Sequence, residues 1–191
     1  MLIVMAGLPG SGKSTVAEEL GRRLPAPVLS VDPVEAALWS AGVDRAQPTG
    51  LAAYVVVEAM AADIMALGQT VIVDAVNDAE EAREQWRGLA AHRDAPIAWI
   101  EVACSDPDLH RHRLESRRRD LPGFPEPDWD SLAARRAGLG SWREERLLLD
   151  SAQALEPNVE KALDHLRTVR VRAIAQRITD EDSALLRRLA E

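Results

Sequence analysis

Five short apolar runs, at 2–6, 28–31, 70–74, 97–103 and 146–150, punctuate the chain, and each is mostly hydrophobic rather than alternating. A strand that is apolar on both faces belongs in a parallel sheet with helices packed above and below it. The stretches between the runs carry helical spacing, so strands and helices alternate, as in an open α/β sandwich. Residues 14–24 form the first helical stretch, stopped by Pro25 and Pro27; 50–67 form another, closed by Gly68. In a third, over 79–91, Trp86 and Leu89 take the inward face. Asp106 followed by Pro107 reads as a cap and a first-turn proline, opening a basic helix that extends to about Arg119. Pro122, Gly123, Pro125 and Pro127 make 121–127 a Pro/Gly-rich segment that reads as a mobile loop, before a further helix over 128–139.

Beyond the fifth run, 158–171 predicts a closing helix, and Val171, Ile174 and Ile178 keep a helical spacing. Residues 179–182 resemble a capping box with Asp182 in place of Glu or Gln, which predicts a fresh helix over 184–189. The reading is one domain over 1–168 with a lid at about 106–127, followed by a helical tail over 169–191. That tail is expected to pack on the domain or on a second copy of the chain, as a homodimer.

The turn between the first run and the first helix carries the chemistry. Gly7, Leu8, Pro9, Gly10, Ser11, Gly12, Lys13, Ser14 and Thr15 fill the pattern G-x-x-x-x-G-K-[ST] and its flank. Glycines let the backbone curl until successive N–H groups point inward at phosphate oxygens, and the following helix aims its positive end at the same anion. The Lys13 ammonium can bridge the β- and γ-phosphates of ATP, and the Ser14 hydroxyl can ligate Mg²⁺.

Composition narrows what such a site serves. Asp and Glu total 31 against 23 Lys and Arg, a net charge of −8, and a polynucleotide partner calls for a basic surface instead. With Cys104 as its single cysteine, the chain forms no internal disulfide and no Cys-based zinc site. Cys104 itself reads as a small buried hydrophobe. The apolar start is too short to span a membrane and lacks the basic region of a signal peptide, so a cytoplasmic protein without a membrane partner is expected.

Further blocks follow the P-loop in order: Ser30, Val31 and Asp32 after the second run, Val71 to Asp74 and on to Asn77 after the third, His110 to Arg117, and Leu147 to Gln153 at the fifth. With the P-loop, and over residues 1 to about 168, these make the chain resemble the small P-loop kinases grouped with the AAA-type ATP-binding proteins. Their relatives include polynucleotide 5′-kinase, zeta-toxin, gluconate kinase and chloramphenicol phosphotransferase. The resemblance implies a three-layer P-loop sandwich around a five-stranded parallel sheet, nucleotide-kinase-like, with a helical lid. It also implies that Asp32 accepts the proton of an acceptor hydroxyl, although Asp32 before Pro33 equally suits a helix cap.

Asp74 ends a hydrophobic run, as a Walker B acid does, and could hold Mg²⁺ through water or orient the acceptor; capping the turn over 77–80 is the alternative. Asn77 is an acceptor contact or a turn former. Arg113 and Arg117, four apart on one face of the lid helix, would both reach the phosphate chain, while Arg118 and Arg119 point into solvent. His110 and His112 lack ligand spacing for a metal. Residues 151–153 would flank the adenine. The acceptor pocket is expected between Asp32, the helix at 50–67 and the loop near 122–129, with Trp39, Tyr54 and Trp129 as lining or as plain core.

Three functions compete for this arrangement. The first is an ATP-dependent kinase for a small hydroxylated metabolite. The second is a polynucleotide 5′-hydroxyl kinase; those enzymes carry an arginine three residues after the catalytic Asp, where this chain has Glu35, a carboxylate that would repel a phosphodiester. The third is a nucleotide-binding regulator or an AAA-type remodelling subunit, for which the chain is short. A nucleotide-sugar kinase of zeta-toxin type is a variant of the first.

Overall fold

In a computed structural model that describes residues 1–118, 121, 124 and 126–189, five strands form one parallel sheet in the order β2-β3-β1-β4-β5. The strands are β1 (Leu2–Ala6), β2 (Val28–Ser30), β3 (Val71–Asp74), β4 (Ile97–Ala103) and β5 (Leu147–Asp150). After β1 the chain goes out to the edge strand β2, returns through β3 beside β1, and crosses to β4 and β5 on the other side, so the crevice at the carboxyl end of β1 is the switch point where open α/β sheets hold ligands. Register brings Met5 and Ser30 level with Asp74, and Ala103 level with Asp150, so the functional ends of the strands form one rim.

The continuous apolar runs are explained by cover on both faces. Alternate residues of β1 divide between two cores. Leu2 and Val4 join Val57, Trp86, Leu132 and Trp142 on the face covered by α3 (Thr49–Ala66), α4 (Glu80–His92) and α6 (Leu132–Ser141). Ile3 and Met5 join Val16, Leu20, Val159 and Leu163 on the face covered by α1 (Lys13–Arg23) and α7 (Leu155–Leu189). Helix α3 buries Ala53, Val57, Ala61 and Met65 and exposes Leu51, Val55 and Met60. Among the described residues it is the one helix long and apolar enough to cross a membrane, and its buried row is packed into the sheet core.

Several boundaries differ from the sequence reading. Residue 31 leaves the second strand to open α2 (Val31–Ser40), which puts Asp32 in the first turn of a helix. Helix α5 (Pro107–Ser116) does start on Asp106, whose side chain accepts from the Asp108 and Leu109 N–H groups, but it stops short of Arg117, where the backbone turns extended. Residues 128–131 are a turn, held by the Ser131 N–H on the Asp128 carboxylate, and α6 begins only at Leu132. The tail is not a second helix. Without a glycine or proline after Pro157, α7 runs unbroken to Leu189, and the Thr179 hydroxyl donates back to the Ala175 carbonyl instead of capping a new start. Val171, Ile174 and Ile178 are exposed along it and do not pack on the domain. Arg119, Pro122, Gly123 and Pro125, named above for the lid and loop, lie outside the described residues.

Candidate active site

The P-loop leaves β1 through Gly7, where a Cβ would lie 2.3 Å from the Val102 carbonyl oxygen, so no larger residue fits. Gly12, with φ of 89°, is the left-handed residue that turns the loop into α1, and Lys13 is the first residue of that helix. From the other side α5 clamps the loop: the buried His110 ring donates from Nε2 to the Pro9 carbonyl over 2.9 Å, its edge against Trp129. A carbonyl can only accept, which fixes the proton on Nε2. His110 is therefore a strut of the loop.

Lys13 and Asp74 are both buried, with Nζ 4.0 Å from Oδ1. The Ser30 hydroxyl reaches Asp74 Oδ2 over 3.3 Å, while Oδ1 is buried without a hydrogen-bond partner. An orphaned buried carboxylate oxygen is costly, and it is the kind of atom a cation satisfies. Among the described residues Asp74 accepts from the Ser30 hydroxyl and from no group of the 77–80 turn, and α4 begins behind Ala79 with no side-chain cap, so the capping alternative for Asp74 does not hold.

Three cavities follow one another along the rim. The first, about 360 Å³, lies between Lys13, Thr15, Arg113, Ser151, Gln153 and Asn158. The second, about 470 Å³, holds Lys13, Ser14, Asp74, Asp32 and Arg117. The third, about 390 Å³, is lined by Asp32, Glu35, Trp39, Tyr54, Phe124 and Arg135 among others. Lys13 and Ser14 are common to the first two and Asp32 to the last two, and Arg117 reaches all three.

The two lid arginines both line the first cavity but are anchored differently. Arg113, inside α5, donates to the Ser151 hydroxyl over 2.9 Å and to its carbonyl over 3.2 Å, which ties it to the β5–α7 turn. Arg117, beyond the helix end, lies 3.5 Å from Glu126. Arg118 is exposed, as expected for a solvated cation. Beneath the turn, Asp150 accepts from the Ser105 hydroxyl, the Ser105 N–H and the Ala152 N–H, which together hold its carboxyl below the usual carboxylate range. Cys104 is not a buried hydrophobe; it is partly exposed at the end of β4, with Sγ toward the Asp106 carbonyl.

At the opposite end, the Trp39 indole donates to Thr49 Oγ1 over 2.9 Å, and the Thr49 hydroxyl donates to Glu35 Oε1 over 2.8 Å. Trp39 stacks on Phe124 at 5.1 Å between ring centres and carries the Arg45 guanidinium 4.5 Å over its ring. The Tyr54 hydroxyl accepts from the Asn77 N–H, and burial pushes the phenol well above its ordinary value. Asn77 is no acceptor contact. Its amide donates to the Met5 carbonyl and accepts from the Trp86 indole, so both ends are engaged in the core. Trp129 is absent from this cavity and instead lines one behind the P-loop with Ser11, His110 and Arg136.

Trp39, Tyr54 and the loop near 122–129, through Phe124 and Glu126, line this third cavity as the sequence led one to expect, whereas Asp78 and Arg135 there, and Leu155 and Asn158 in the first cavity, were not foreseen. Asn158 donates to the Asp150 carbonyl from the first turns of α7. No motif marks these positions: Asp78 comes from the β3–α4 connection, Arg135 from α6, and Leu155 and Asn158 from the first turns of α7.

The sequence model of a family described as AAA domain matches residues 2–139. Among curated proteins none matches. Kti12 from Chaetomium thermophilum, solved in complex with ADP-AlF3, is similar with a TM-score of 0.63 and 22% identity, over 86% of this chain and 98% of that one. A gluconokinase from Sinorhizobium meliloti 1021 gives a TM-score of 0.62 and 18% identity, over 91% and 95%. The Mycobacterium tuberculosis APS kinase CysC, in complex with AMPPNP and APS, gives 0.58 and 22%, over 87% and 96%. At these identities the likeness is one of fold, the α/β sandwich of P-loop kinases.

Proposed function

The chain belongs to the AAA domain family and has the fold of the small P-loop kinases, and on that premise we propose that it transfers the γ-phosphoryl group of ATP to a hydroxyl of a small metabolite. The observation that carries this reading is the position of Asp32, shared between the cavity of Lys13 and Asp74 and the cavity of Tyr54 and Glu35. A base for hydroxyl phosphorylation has to stand where donor and acceptor meet.

In the proposed reaction the acceptor oxygen attacks the γ-phosphorus, the bond from that phosphorus to the β–γ bridging oxygen breaks, and ADP leaves with the electron pair. The acceptor proton passes to Asp32. P-loop N–H groups and Lys13 hold the phosphate oxygens, and Arg117 neutralises charge on the moving group. Arg113 serves the nucleotide end through Ser151 rather than the γ-phosphate. Ser14 and Asp74 line one cavity, and Asp74 Oδ1 is an orphaned acceptor, so these two residues fit a Mg²⁺ ion shared with ATP. Bound there, Mg²⁺ would draw charge from the phosphate oxygens.

The acceptor cavity supports a small molecule more than a nucleic-acid end, because Glu35 occupies it with a fixed carboxylate. The test is acceptor-dependent ADP release with ATP and Mg²⁺ over nucleosides, sugars, amino sugars, amphenicols and 5′-hydroxyl oligonucleotides, beside the Asp32→Asn variant. A small-molecule product that disappears in the variant supports the proposal. Turnover confined to oligonucleotides would replace it with the polynucleotide reading. ATP binding without any transfer would favour a nucleotide-binding regulator.

A further inference from the structure

Among the described residues, the acceptor cavity has more acidic than basic side chains in its walls. Its walls carry Asp32, Glu35, Asp78 and Glu126 against Arg117 and Arg135. Glu126 lies 3.5 Å from Arg117, and Asp78 stands near the Tyr54 phenol. With Asp32 assigned to the reacting proton, Glu35 is left over.

Glu35 is also held in a fixed orientation. The relay from Trp39 through Thr49 fixes Oε1, and the opposite wall is backbone, since a Cβ on Gly50 would lie 3.5 Å from the same oxygen. Among the described residues no Lys, Arg or His forms an ion pair with Glu35. A half-buried carboxylate held still in this way rejects anionic ligands and gains most from a cationic one. Arg45 already lies over the Trp39 ring, so an incoming cation is directed to the carboxylate and not to that ring.

Resting on the kinase reading above, we propose that the acceptor is a cationic hydroxyl compound of the amino-sugar class, whose ammonium group pairs with Glu35 while its hydroxyl faces Asp32. Both carboxylates project from α2, three residues apart, where Cβ atoms are separated by roughly 5–6 Å. The ammonium and the phosphorylated oxygen are therefore spaced on that scale, which an amino sugar or aminocyclitol reaches and ethanolamine does not.

The experiment compares glucosamine and kanamycin with their N-acetylated forms, first as acceptors and then as ligands. Binding is read by the fluorescence of Trp39 in the presence of AMPPNP and Mg²⁺, with Trp39→Phe as the blank. The amines are expected to be preferred by about tenfold or more in kcat/KM, the equivalent of one charge-assisted contact. Glu35→Gln, which keeps an acceptor for Thr49, should remove that preference mainly through KM, and Glu35→Lys should turn it toward glucuronate. Equal or better use of the N-acetylated forms, or a preference that survives in Glu35→Gln, overturns the inference while leaving the kinase intact. If nothing is phosphorylated, the kinase reading fails separately, and binding decides: amine-selective quenching lost in Glu35→Gln upholds the cationic site, and quenching equal for both forms, or none, ends it.

Discussion

The two ends of the cleft are built in different ways. At the nucleotide end the chain uses contiguous backbone: Gly7 to Gly12 form one loop between β1 and α1, whose first turn carries Lys13 to Thr15, and Gly7 and Gly12 are required by lack of space and by φ. At the acceptor end it uses side chains from α2, α3, α6 and the segment around Phe124. Backbone amides read phosphate, which every ATP carries, whereas side chains can be exchanged without disturbing the fold. On the proposed reading, the phosphate-binding half of the site rests on a contiguous backbone loop and the acceptor half on side chains gathered from several elements.

Substitutions should separate the two ends, with the largest losses where both are served. Lys13→Ala is expected to lower kcat by about 10²–10³ and to weaken nucleotide binding as well, measured by steady-state kinetics and AMPPNP titration. Asp32→Asn should lower kcat by at least about 10² with AMPPNP affinity unchanged, since it removes the proton acceptor and no phosphate contact. Thr49→Val, which breaks the relay to Glu35 but touches neither nucleotide nor acceptor, should raise acceptor KM about fivefold and leave ATP KM alone. If ATP KM moved equally, the two ends would not be separable.

The smallest effect belongs to Asp150. Its carboxyl is held below the ordinary range by Ser105 and Ala152, so the stabilisation is complete above the unfolded carboxylate pKa and is lost as pH falls through the lower folded value. Asp150→Asn should flatten that part of the acid unfolding curve. It should also raise ATP KM a few-fold by loosening the turn that carries Ser151, without altering acceptor KM.

The same contrast explains what could be read in the sequence. The strand at Leu2–Ala6, the P-loop and the parallel sheet were legible because their signals are contiguous: an apolar run, a glycine pattern and a helix start. The places of Asp74, which ends β3, and of Asp32, which follows β2 by two residues in the first turn of α2, were legible because the carboxyl ends of the strands form the rim. The lid arginines were legible as neighbours of the P-loop cavity, which both line, but their different anchoring was not, because i,i+4 spacing assumes a helix and α5 stops at Ser116, leaving Arg117 on extended backbone while Arg113 is tied to Ser151. Trp129 was assigned to the wrong cavity because sequence proximity to the loop does not say on which side of the P-loop a ring lands. The tail was split in two because a Thr before acidic residues looks the same whether its hydroxyl caps a new helix or bonds back to Ala175. Glu35 stood out only as a departure from D-x-x-R; its relay to Trp39 needs α2 and α3 side by side.

The most direct test of the account is single-turnover transfer from ATP to a hydroxylated acceptor by the wild type and Asp32→Asn, with AMPPNP binding measured on both. Loss of transfer by at least about 10² at unchanged nucleotide affinity is the predicted result. Transfer at the wild-type rate in the variant would contradict it, and would mean that the carboxylate where the two ends meet is not the base.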